Sequence, residues 1–198
     1  MQYFKHFFWI ILGLAFITLS IKLPIGSLVE YDLLPDTLGY VFVTTGLAGL
    51  AKYSRWFSYA RFFTVPLGLM SVVTYGNISK HYFDLFAMQF TVVFGFFFTV
   101  CIIFLFVFLL VGMRKLYYSH ELEDKIFGTM TCFIFAIVVN VIAAFMTLPT
   151  MKEMVMDNAN GVILFVASAA AAAWLVVRLW KSAADLENKF NEKTFIQT

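Results

Sequence analysis

Residues 85–113 run for 29 positions without one charged side chain. Wound as a helix, that stretch rises roughly 43 Å, more than the ~30 Å hydrocarbon layer of a bilayer, so it predicts a tilted or projecting membrane span. Five more apolar runs, at about 7–23, 37–51, 62–76, 127–148 and 161–180, predict five further spans. The 37–51 and 62–76 runs are short, rising roughly 22 Å each. Pro66, within the second of these, would either kink a true span or turn a re-entrant one. Composition points the same way: 62% of residues are hydrophobic and 13% charged, where soluble domains carry roughly a quarter charged. The expected fold class is all-α: a polytopic membrane helix bundle of six transmembrane helices, multi-pass in a cell membrane, with the lipid bilayer as its first partner.

Charge placement decides the number of crossings. With six spans and the N-terminus cytoplasmic, Lys5, Lys52, Arg55, Arg61, Arg114, Lys115, Lys125, Arg178, Lys181, Lys189 and Lys193 fall inside, and Lys22, Lys80 and Lys152 fall outside. That 11 to 3 split obeys the positive-inside rule. If the third run failed to cross, the split would become 6 inside to 8 outside, so both termini are expected in the cytoplasm. Trp9, Trp56, Tyr59, Tyr117, Tyr118 and Trp180 fall near the same interface, as an aromatic belt does. Trp174, inside the sixth run, reads as a packed or lipid-facing indole. Lys5 followed by an apolar run has the charge order of a secretory signal. Lys22, Leu23, Pro24 and Ile25 supply no small-residue cleavage site, so the run reads as a first membrane helix. The division expected is a transmembrane domain over 1–180 and a short cytosolic amphipathic tail over 181–198, with Leu186 and Phe190 at helical spacing.

Chemistry is sparse. Cys101 and Cys132 lie inside apolar runs, where a thiol acts as a small hydrophobe. On this topology His6 and His120 are cytoplasmic and His81 is outside, and no zinc-like spacing occurs, so no metal is expected. Nucleophile elbows, Gly-rich phosphate loops and C-x-x-C motifs are missing from the sequence, and the chain reads as no enzyme, with no cofactor. A net charge of +2 leaves no basic face for nucleic acid.

The most informative stretch is Glu30-Tyr31-Asp32-Leu33-Leu34-Pro35-Asp36, which leads into the second run. Pro35 and Asp36 predict a helix start, because proline suits the first turn and a carboxylate accepts from its free N–H groups. Glu30 and Asp32 add two more carboxylates at the outer face, where together with Asp36 and the intramembrane Asn140 they make a candidate binding site for a cation or a cationic small ligand. Asn140 reads first as glue between helices. Gly39, Gly46 and Gly49 in the second run, and Ala167, Ser168 and Ala169 to Ala173 (Ala171 at their centre) in the sixth, are candidate helix-packing faces, since small residues let backbones approach.

The block Asp32-Leu33-Leu34-Pro35-Asp36-x-x-Gly39-Tyr40, followed by an apolar helix and the basic stretch from Lys52 to Arg61, resembles a segment of uncharacterised multi-pass membrane proteins of Firmicutes-type bacteria. The likeness covers about 30 residues and implies a bacterial inner membrane and a helix start at this block; the group has no assigned activity to carry over. In size and span count the chain is also similar to the substrate-binding membrane subunits of energy-coupling factor transporters. There an alanine-rich packing motif lies in the first helix, whereas this chain's alanines lie in the sixth run. The functional expectation is a non-catalytic accessory or interaction subunit that meets other membrane subunits or a second copy of itself. The alternative is a small-molecule binding or transport subunit with its site at the outer mouth.

Overall fold

The computed structural model of the protein describes residues 3–18, 22–25, 29–32, 36–74, 87–146 and 158–196. Each apolar run becomes a helix: α1 (Tyr3–Thr18), α2 (Asp36–Leu50), α3 (Arg55–Thr74), α4 (Ala87–Ser119), α5 (Glu123–Met146) and α6 (Asn158–Ile196). Every helix packs on its neighbours in sequence, and α6 closes the circle against α1. A short antiparallel hairpin, β1 (Lys22–Ile25) and β2 (Val29–Asp32), lies between α1 and α2. Its register pairs Lys22 with Asp32, Leu23 with Tyr31, Pro24 with Glu30 and Ile25 with Val29. The fold class is helical as expected, and this hairpin is a small addition to the six helices. Pro24 is tolerated because both strands of a two-stranded sheet are edges.

α3 begins at Arg55, well before the apolar run, and passes through Pro66 unbroken. Its 20 residues rise about 30 Å as one continuous helix, with no turn at Pro66. α2 keeps its 15 residues and stays short of the hydrocarbon thickness. Two hydroxyl pairs join α2 to α3: Thr37 Oγ1 with Ser71 Oγ at 2.8 Å, and Thr44 Oγ1 with Thr64 Oγ1 at 2.6 Å.

The turn between α4 and α5 uses a left-handed residue, Glu121, at φ 59°. The Leu122 N–H reaches back to the Tyr117 carbonyl at 3.1 Å, closing the last turn of α4 as a C-terminal cap does. The core is one apolar cluster that draws on all six helices: Phe7 and Ile10 of α1, Leu47 of α2, Phe57 of α3, Met113 of α4, Phe133 of α5 and Leu179 of α6 are fully buried. Cys101 and Cys132 belong to it as free thiols.

The boundary expected at 180 is not a break in structure. α6 runs on as a single helix, and Ala183, Leu186 and Glu187 are buried beyond that point. The amphipathic stretch at the end of the chain turns its apolar face to the start of α1, where Phe190 meets Tyr3 edge to face at 5.9 Å.

Candidate functional site

One residue shows how the bundle's basic end is assembled. The Tyr3 ring stands 4.6 Å from that of Tyr53, in the α2–α3 turn. Its hydroxyl is 3.1 Å from His120 Nε2, in the α4–α5 turn. The Tyr3 N–H donates to Glu187 Oε2 of α6 at 3.0 Å, with the Phe4 N–H reaching the same oxygen at 3.4 Å. A helix leaves its first N–H groups without intrahelical partners, and here a carboxylate distant in sequence fills the role of cap. Burial raises the Glu187 pKa, and hydrogen bonds to the carboxylate, those from the Tyr3 and Phe4 N–H groups among them, outweigh it, holding the carboxyl below its ordinary value. The Tyr3 phenol is pushed up to about 12, first by burial and then by Tyr53 and Glu187. His120 Nδ1 lies 2.9 Å from both the Leu116 carbonyl and Ser119 Oγ, so both ring nitrogens have neighbours and the imidazole is held in place. The sequence reading passed over Tyr3 and Glu187; the signals that could have found them were an acidic residue on the apolar side of the last helix and a tyrosine at the start of the first.

The small residues of α2 are used inside the chain. A Cβ on Gly39 would lie 2.7 Å from the Gly13 carbonyl oxygen, one on Gly46 would press on the His6 backbone, and one on Gly49 would overlap the His6 imidazole. The His6 pKa is lowered, first by burial and then by Lys52 and Lys5. Of the α6 small residues, Ala171 is buried and Ala167 half-buried, while Ala169, Ala170 and Ala173 face outward. Trp174 is 37% exposed and rests on Phe135 at 5.8 Å.

The outer carboxylates are only partly in view. Glu30 and Asp32 belong to β2, and Asp36 opens α2 as the acidic residue of its first turn. The side chains of Glu30, Asp32, Asn140 and Ser168 lie outside the described residues, as do Pro35 and His81. Among the described residues no three of His, Cys, Asp and Glu gather in one place.

Among the described residues, Gly95–Ser119 of α4 is the one stretch both long and apolar enough to cross a bilayer, and α1 is a shorter apolar helix. What the fold defines is therefore a six-helix bundle carrying one clear candidate span. Protein-family models, curated proteins and solved structures yield no match to this chain, so its own geometry carries the functional argument.

Proposed function

We propose that the protein is a six-span integral membrane protein of a bacterial inner membrane, both termini cytoplasmic, acting without catalysis as an accessory subunit that docks a second membrane polypeptide. Two features support the membrane reading. Large apolar side chains stand outward around a bundle whose interior is already filled, with Phe62 and Phe96 both 70% exposed and Phe127 77%. Water does not tolerate an apolar surface of that extent, and lipid does. The Tyr3 junction gathers the start of α1, both intervening turns and the end of α6 at one end of the bundle, which is the arrangement that alternate crossings require and the end where the basic residues concentrate.

The observation that carries the docking role is the outer face of α6. Ala169, Ala170 and Ala173 are exposed between Val166 and Val177. Lipid cancels the hydrophobic drive between helices, so association in a membrane relies on close backbone approach, which such a face permits. Native mass spectrometry of the protein, extracted in mild detergent from its own membrane, tests the reading. A stoichiometric second polypeptide, lost when Ala169, Ala170 and Ala173 are all replaced by Leu, is expected. A lone chain carrying a small adduct that disappears in the Glu30→Gln, Asp32→Asn, Asp36→Asn triple variant would favour the outer-mouth binding role instead.

A further inference from the structure

At the basic end, between the first turns of α5 and residues 178–185 of α6, a cleft of about 340 Å³ opens. That is enough for a small ligand group. Its wall holds Lys125, Arg178 and Lys181 against Asp124 and Asp185. Asp185 is engaged: Lys125 Nζ lies 2.7 Å from its Oδ1. Asp124 stands in the first turn of α5, where the helix's unpaired N–H groups favour a negative charge. Arg178 and Lys181 make no ion pair or side-chain hydrogen bond among the described residues. With Lys125 and Asp185 cancelling each other, two cations face one carboxylate and the cleft carries an excess positive charge.

The seat of Arg178 is shaped by the neighbouring helix. A Cβ on Gly128 would lie 2.8 Å from Arg178 Nη1 and 2.9 Å from Cζ, so the guanidinium lies flat against α5 only because that position is glycine. Beneath it, Thr129 and Ser182 are buried, their hydroxyl oxygens 3.4 Å apart, and Ser182 Oγ donates to the Arg178 carbonyl at 2.8 Å. A half-buried guanidinium resting against α5 with its donors unengaged among the described residues, and an ammonium on the same wall, is suited to the oxygens of a phosphate group.

We infer that the α5–α6 cleft binds one phosphate-ester anion, held by Arg178 and Lys181. In the membrane reading this cleft sits at headgroup level, where basic pockets between helices meet anionic lipid. A soluble phosphate offers the same chemistry, and the experiment separates the two sources. The full-length protein in mild detergent is titrated with phosphatidylglycerol, with a diacylglycerol of the same chains, and with inorganic phosphate, and bound species are counted by native mass spectrometry. One phosphatidylglycerol per chain, no diacylglycerol, and at least a tenfold weakening in Arg178→Gln are expected. Gly128→Ala keeps every charge yet fills the guanidinium's seat, and it is expected to weaken binding severalfold with an unchanged melting temperature; it carries the test if Arg178→Gln misfolds. Retention of inorganic phosphate without lipid, lost in the same variants, supports the anion site and assigns it to a soluble ligand. Equal binding by wild type and both variants, or equal uptake of diacylglycerol, overturns the inference. Arg178-dependent phosphate binding by a protein that proves soluble without detergent would sustain the cleft while refuting the membrane reading.

Discussion

The Glu187 carboxylate caps the first turn of α1 from the far end of the chain, and its lowered pKa gives stability a pH dependence of definite sign. A carboxyl more acidic in the folded state than in the unfolded one contributes stability above its unfolded pKa and loses it as pH falls through the folded value. The melting temperature in detergent is therefore expected to drop as pH is lowered through and below the ordinary carboxylate range, about 4. In Glu187→Gln that acid limb flattens. Glu187→Ala, which removes the acceptor from the buried Tyr3 N–H and the part-buried Phe4 N–H, costs roughly 1–3 kcal/mol at neutral pH. Gly39 supplies a second residue-scale prediction. The neighbour it would strike is the Gly13 backbone carbonyl, which cannot swing aside as a flexible side chain does. Gly39→Leu is expected to cost about 3 kcal/mol or more and to prise α1 from α2, whereas Ala170→Leu on the exposed face of α6 leaves stability within about 0.5 kcal/mol. Thermal unfolding of the two variants side by side checks both.

Helix positions were legible from hydropathy and helix ends were not, for a physical reason. Hydropathy measures how much chain lipid accepts, while a helix continues as long as its hydrogen bonds and packing hold. So α4 continues to Ser119 past Arg114 and Lys115, and α6 continues to Ile196 past Lys181, carried by Leu186 on the buried side. The same distinction applies to α1, whose apolar run predicted a helix to residue 23, whereas Lys22 and Leu23 belong to strand β1. Of the candidate site, the α2 glycines were legible as a packing face, but their partner was not: His6 and Gly13 lie on a different helix, and one sequence carries no record of which helices meet. The α4–α5 turn adds an element-scale prediction. Glu121 holds a left-handed conformation that costs a side-chain-bearing residue roughly 1 kcal/mol, so Glu121→Gly is expected to raise the melting temperature by a few degrees.

The bundle closes on itself because α6 returns to α1, and this places both intervening turns and the end of α6 beside the first residues of α1. An even number of crossings follows if every helix spans, and the 11 to 3 charge split then says which end faces the cytoplasm. Length sets the strain on such an arrangement: α2, at 15 residues, rises only about 22 Å, so the bilayer is expected to thin beside it or to receive its flanking residues. The free thiols Cys101 and Cys132 are buried in the core, which gives labelling a quiet background. A cysteine placed at Glu30 in the hairpin is expected to react with a membrane-impermeant maleimide on intact cells. One placed at Glu121 is expected to react only after permeabilisation. Labelling of Glu121→Cys from outside would invert the topology and move the α5–α6 cleft to the outer face. Labelling of both sites from the same side would mean an even number of crossings in residues 30–121 where the six-span reading requires three, and that reading would fall with it.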